Sequence, residues 1–255
     1  MVAVSEFYVN INKMKSLIIS DIHANISALN AVLEDVGSVD ANWCLGDLVG
    51  YGPDPNECVD LIKSLPNLVC LLGNHDSATA GFIDDITFNP MARQAIRWTK
   101  ETITPENLEF LVNLPEREQI DDVAFAHGSP REPVWEYILD TRTATENFDY
   151  FKTPYCLIGH THLPTLFTLK EGDHLAKLTI PDQGDIVELE PRAIINPGSV
   201  GQPRDRDPRA AYAVFDTEEQ TIEFHRVSYD IPSVQERMRK AELPLRHIQR
   251  LIDGW

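Results

Sequence analysis

Short apolar runs alternate with helical patterns through the first half of the chain. Leu17-Ile18-Ile19 is a continuous apolar run of the kind that forms a strand buried on both faces, and Ser20-Asp21-Ile22-His23 follows at once. Asn25 is placed to cap a helix whose apolar positions Ile26, Leu29, Leu33 and Val36 recur at helical spacing. A second strand is predicted near Trp43 to Leu45, ending at Gly46-Asp47, and a helix follows around Asn56 to Leu65. A third strand, Leu68 to Leu72, ends at Gly73-Asn74-His75-Asp76. Strand, helix and strand at about 30-residue spacing predict β-α-β units and a parallel sheet.

Residues 79–115 break this rhythm. Pro90 to Thr102 and Pro105 to Leu114 read as two helices, each opened by a proline whose missing N–H costs nothing in the first turn. This helical insertion either covers a site or packs on the sheet. Val123 to Ala126 is a strand running into His127-Gly128-Ser129-Pro130. A helix near Ala144 to Phe151 precedes the strand Cys156-Leu157-Ile158, which ends at Gly159-His160-Thr161-His162. Hairpin texture follows, with strands expected at Thr165 to Lys170, Ile186 to Glu190, Ala193 to Ile195, Ala211 to Phe215 and Thr221 to Val227. The tail from Ile231 to Asp253 is helical and charged. With no repeat and no low-complexity linker, the expectation is α/β: two packed mixed β-sheets flanked by helices, a four-layer α-β-β-α sandwich. One domain over residues 14–255 is expected, behind a loose extension at residues 1–13, and Met14 is a second candidate start.

Composition narrows the class. Of 255 residues, 43% are hydrophobic and 24% charged, which excludes a disordered or fibrous chain. No apolar stretch approaches the roughly 18 residues of a membrane helix. Lys+Arg 22 against Asp+Glu 40 gives a net charge of −18, which disfavours nucleic-acid polymers and anionic lipid as partners. A small phosphorylated substrate stays open if cations gather locally. Cys44, Cys58, Cys70 and Cys156 form no C-x-x-C pair, and three of them sit in apolar runs. With no secretory signal visible, they read as buried thiols of a reduced, cytoplasmic protein. The oligomeric state stays open.

Five of the eight histidines share one context: His23, His75, His127, His160 and His162 each lie just past an apolar strand run, as do Asp21, Asp47 and Asn74. Strand C-termini of α/β sheets form the edge where ligands bind. The others, His174, His225 and His247, look like surface or hairpin residues. Aspartate and histidine are the usual ligands of borderline divalent ions, and the donor set is too nitrogen-rich for calcium and too large for one tetrahedral ion. Asp21, His23, Asp47, Asn74, His127, His160 and His162 are seven candidate ligands, enough for two divalent ions sharing a carboxylate. Two such ions bring +4; two aspartates and one hydroxide bring −3, leaving about one positive charge to hold a phosphate.

The order Asp21-x-His23, Gly46-Asp47-x-x-Gly50, Gly73-Asn74-His75-Asp76, His127 and Gly159-His160-Thr161-His162 resembles that of the calcineurin-like metallophosphoesterases. Asn196-Pro197-Gly198-Ser199-Val200-Gly201-Gln202-Pro203-Arg204 resembles a loop of their bacterial and archaeal small-phosphodiesterase branch. One departure is Ala126, where many members carry glycine before the histidine. The resemblance implies a sandwich of two mixed sheets flanked by helices. It also implies that Asp21, His23 and His162 bind one ion, that Asn74, His127 and His160 bind the other, and that Asp47 bridges them. The ions would be transition metals, Mn first, with Fe, Zn, Ni or Co as alternatives. His75 would act as general acid, oriented by Asp76, while a metal-bridging hydroxide attacks a phosphodiester or phosphomonoester, a small nucleotide-type diester foremost. Arg131 and Arg204 are candidate substrate contacts, with surface ion pairs as the competing role; Tyr51 and Tyr137 stack on a base or simply pack. Three rival readings are a phosphoprotein phosphatase with the same ligands, a non-catalytic interaction module on the same fold, and a nuclease, which the acidic balance opposes.

Overall fold

The computed structural model describes residues 14–255; the extension expected at residues 1–13 lies outside the described residues. The strand β1 (Lys15–Ile19) leads into α1 (Ile26–Val36), β2 (Ala41–Cys44), α2 (Pro55–Ser64) and β3 (Leu68–Cys70). β1 pairs in parallel with β2, and β2 with β3. The chain returns to this sheet with β11 (Ala210–Asp216), β12 (Thr221–Val227) and β9 (Ile186–Glu188), giving the order β3-β2-β1-β11-β12-β9. The second sheet holds β4 (Arg117–Ile120), β5 (Val123–Ala126), β6 (Tyr155–Leu157), β7 (Pro164–Thr168), β8 (Lys177–Thr179) and β10 (Ala193–Pro197), in the order β4-β5-β6-β10-β7-β8. Both sheets are mixed, with helices outside, as expected.

Alternation along each strand distributes the apolar runs between two cores. Ile18, Trp43, Phe125, Tyr155, Ile195 and Phe215 fill the space between the sheets. Their neighbours Leu17, Ile19, Cys44 and Tyr212 face Leu29 and Val32 of α1 and Val59 and Ile62 of α2. The outer face of the second sheet packs Ile158, Phe167 and Ile194 against Ala144 of α6 (Thr141–Asn147) and Phe148 and Phe151 beyond it. All four cysteines are free and buried. Among the described residues no helix is long and apolar enough to cross a membrane.

The helices of residues 79–115 join two different cores. Leu111 of α5 (Pro105–Val112) joins the core that α2 shares with the first sheet. α4 (Pro90–Thr102) packs Ala92, Ala95 and Ile96 against Tyr51, Phe88 and the C-terminal helices. The helical tail consists of two helices, α7 (Ile231–Lys240) and α8 (Leu245–Asp253). Pro244 cannot donate into a continuous ladder, and Glu242 turns at φ 54°, so the chain reverses there. Two strands and one α-helix escaped sequence reading. β4 and β8 are exposed, polar edge strands without alternation. α3 (Asn74–Ala80) is a short helix of mostly small and polar residues whose sequence carries no apolar stripe.

Candidate active site

Five of the seven candidate ligands follow a strand in a turn that the backbone makes under constraint. Asp21, His23, Asp47, His160 and His162 all have left-handed φ, between 48° and 65°. Non-glycine residues hold such angles at some cost, and here neighbouring loops enforce them. The amides of Asp21, His23 and Ala24 donate to the carbonyls of Gly46, Asp47 and Leu48 at 2.8–3.0 Å. The His160 amide donates to Asp21 Oδ2 at 3.0 Å, and the His75 amide to Asp47 Oδ1 at 2.8 Å. Gly73 admits this approach: a Cβ there would collide with the Asp47 carboxylate and amide.

The seven side chains converge on one buried cluster. Asp21, His23 and His162 offer ligand atoms within 4.8 Å of one another, and so do Asp47, His127 and His160. His162 Nε2 is 3.3 Å from Asp21 Oδ1 and 3.1 Å from His23 Nε2. Asp47 Oδ2 lies between the two groups, 3.7 Å from His23 Nε2 and 3.4 Å from His127 Nε2. Asn74 Oδ1 is 3.2 Å from His127 Nε2. The ring nitrogens facing away are tied to carbonyls. Nδ1 of His23, His127 and His162 donates to Val49, Leu45 and Gln202, at 3.1, 2.8 and 2.5 Å. Nε2 of His160 donates to Trp135 at 3.1 Å. Such bonds fix a ring's orientation and leave its other nitrogen inward as a lone-pair donor.

This donor set fits divalent metal ions. Asp21 Oδ1 is buried, has no hydrogen-bond partner and faces two imidazoles. Burial opposes charge on Asp47, but His127, His75 and His23 around it hold the carboxyl far below its ordinary value. Burial likewise opposes a proton on His127, yet the Asp47 carboxylate and its hydrogen bond raise that imidazole to about 9. Burial pushes Asp21 up to about 6, with His127 pulling down and Asp47 adding to the rise. His23, His160 and His162 fall well below the usual histidine value through burial. An ion held by His127 would therefore have to displace that residue's proton. Apparent metal affinity should rise about tenfold per pH unit for that one proton between about pH 7 and 9 and flatten above it. Calorimetry in buffers of differing ionisation enthalpy measures the released proton.

The cluster forms the floor of a cavity of about 420 Å³ whose walls include Tyr51, His75, Phe88, Trp135, Tyr137 and Arg204. Burial lowers His75 to about 4, helped by Arg204 and His127 and opposed by Asp47. Asp76 sits differently from its expected place beside the His75 ring. Its carboxylate accepts from the amides of Leu48, Val49 and Gly73 at 3.1–3.2 Å and makes no bond to that ring. As the third residue of α3, it caps its own helix and ties the Asp47 loop to the Asn74 loop. Arg131 is not brought to the cavity. It pairs with Glu136 and, at 3.0 Å, with Glu146, the surface ion pair weighed against a substrate role. Phe88 and Trp135 escaped the sequence reading, and His247, expected at the surface or in a hairpin, is instead buried on a helix. His247 is 1% exposed, with its ring 4.5 Å from that of Tyr51. Its spacing to Leu251, one helical turn on, was the available signal.

The chain is similar to known proteins along most of its length. The model of the calcineurin-like phosphoesterase superfamily domain matches residues 14–220. An uncharacterized protein of Methanocaldococcus jannaschii is 41% identical over 251 residues, covering 94% of this chain and 99% of that protein. The crystal structure of a metallophosphoesterase from Sphaerobacter thermophilus superposes with a TM-score of 0.88 at 47% identity, covering 95% of this chain and 99% of that one. A symmetrical bis(5'-nucleosyl)-tetraphosphatase of Proteus mirabilis is 30% identical over 144 residues, 52% of this chain and 50% of that protein.

Proposed function

We propose, from the premise that this chain belongs to the calcineurin-like phosphoesterase superfamily and is a metal-dependent phosphoester hydrolase, that it cleaves a small nucleotide-type phosphodiester at a two-ion centre. The observation that carries this reading is the Asp47 carboxylate, flanked by His23 on one side and His127 on the other. Asp21, His23 and His162 would hold one ion; Asn74, His127 and His160 would hold the other; Asp47 would serve both. Manganese suits this mixture of nitrogen and oxygen donors, as do iron, zinc, nickel and cobalt. When bound, such ions lower the pKa of water towards about 7 and draw charge from phosphoryl oxygens.

The chain's own residues place and finish the reaction. Carbonyls of Leu45, Val49 and Gln202 hold three imidazoles with Nε2 inward before anything binds. His75 lines the cavity beside the cluster, and Gly50 leaves room for its ring, since a Cβ there would strike Nδ1. We assign His75 to deliver a proton to the leaving oxygen. The negative charge arriving with a phosphoester acts against burial and raises its proton affinity. Phe88 and Trp135, edge to face at 5.0 Å, and Tyr137 provide an aromatic wall on which a base can stack. Arg204 faces the same cavity as a phosphate contact. The half-length likeness to a nucleoside tetraphosphatase supports a nucleotide-type substrate. Because contributors run from Asp21 to His247, with residues 87–89 of the insertion in the wall, we take residues 14–255 as one functional domain.

The test is a substrate panel with Mn, Ni, Co and Zn. Bis(para-nitrophenyl) phosphate should turn over at least about tenfold faster than para-nitrophenyl phosphate, a preference of about 1.4 kcal/mol. Faster cleavage of the monoester would overturn the diester reading.

A further inference from the structure

One cationic group lines the cavity beside the ligand cluster without a carboxylate partner. Arg131, Arg209, Arg226 and Arg237 each pair with a carboxylate. Among the described residues Arg204 pairs with none. Its Nη2 reaches Tyr51 Oη at 3.5 Å and Gln202 Oε1 at 3.3 Å, and its Nε is buried without a partner. Its guanidinium lies 5.9 Å from the centre of the Tyr51 ring, and the Tyr137 hydroxyl stands beside it. Tyr51 in turn packs on His75 at 4.4 Å and on His23 at 4.5 Å; Tyr137 stacks on His160 at 3.9 Å. The guanidinium and both phenols thus border the metal-ligand cluster.

The C-terminal helix α8, which lies beyond the residues matched by the family model, supports this corner from behind. It presses His247 against Tyr51 and carries Arg250, a further positive charge on the same helix. Arg250 also pairs with no carboxylate among the described residues, and its Nε is buried without a partner. A guanidinium with no carboxylate partner beside two hydroxyl donors is suited to receive an anion, with which it makes charge-assisted hydrogen bonds.

We propose that Tyr51, Tyr137 and Arg204, backed by α8, form a subsite for a second anionic group of the substrate, a phosphoryl group beyond the one that reacts. This rests on the phosphodiesterase reading above. A substrate bearing only the reacting phosphate leaves the subsite unused, so the chain discriminates by phosphate number.

The experiment is calorimetric titration of the metal-loaded protein, freed of excess metal, with AMP and with ADP. The native chain should bind ADP about 10–100-fold more tightly than AMP. Arg204→Gln should narrow that gap to about threefold or less, and Tyr137→Phe, which removes one half-exposed hydroxyl and spares the fold, should narrow it part of the way. An equal affinity for the two nucleotides in the native chain, or an undiminished gap in both variants, overturns the subsite. If the native chain shows no gap yet hydrolyses bis(para-nitrophenyl) phosphate, only the subsite fails. If it hydrolyses no phosphoester, the reading beneath it fails as well.

Discussion

Asp47→Asn is expected to abolish hydrolysis and to strip the centre of metal. The substitution removes one negative charge from a position that two histidine groups face, while its amide oxygen can still accept the His75 amide that Asp47 Oδ1 binds at 2.8 Å. The loop therefore keeps its shape, and the loss is electrostatic and ligational. Losing a group that merely supports a ligand costs roughly 10–100-fold in affinity or activity; losing the shared carboxylate should exceed about 10³-fold. The imidazole of His127, raised to about 9 chiefly by this carboxylate, should fall towards its buried neutral form. Elemental analysis of the purified variant beside its turnover number measures both effects, and its thermal melt separates them from unfolding. A variant that keeps its metal and a tenth or more of native turnover would show that Asp47 is not shared.

His75→Asn should behave in the opposite way, keeping metal while losing rate. His75 is outside the ligand set proposed here, and its ring lines the cavity with Nδ1 unpartnered. Positioned proton transfer is typically worth about 10²–10⁴ in rate, and it matters most when the departing oxygen is basic. The loss should therefore approach that range for an alkyl ester and shrink for a nitrophenyl ester, whose anion leaves without help. Equal losses for both leaving groups would assign His75 to binding, and full turnover on an alkyl diester would remove it from the mechanism.

What was legible in the sequence is what strand geometry dictates. A short apolar run that stops at Asp21, Asp47, Asn74, His127 or His160 delivers its polar residue to the sheet edge, wherever the rest of the chain goes. Parallel pairing of β1 with β2 and β2 with β3 then places three of those edges side by side. Other features depend on contacts that no local pattern encodes. Asp76 reads as a partner of its neighbour His75, yet it sits at the third position of a helix lacking an apolar stripe, where free amides are the nearer donors. Arg131 follows a ligand segment, but the loop that continues from it carries Glu136 back onto its guanidinium. His247 meets Tyr51 only because Pro244 breaks the tail and turns α8 towards the cavity. The edge strands β4 and β8 are exposed and unalternating, so pairing with a neighbour, not burial, defines them.

The most direct measurement is anomalous diffraction from crystals grown with manganese. Two peaks are predicted, one bounded by Asp21, His23 and His162, the other by Asn74, His127 and His160, with Asp47 reaching both. A single peak, or peaks on other surfaces in crystals of an active preparation, would contradict the two-ion centre.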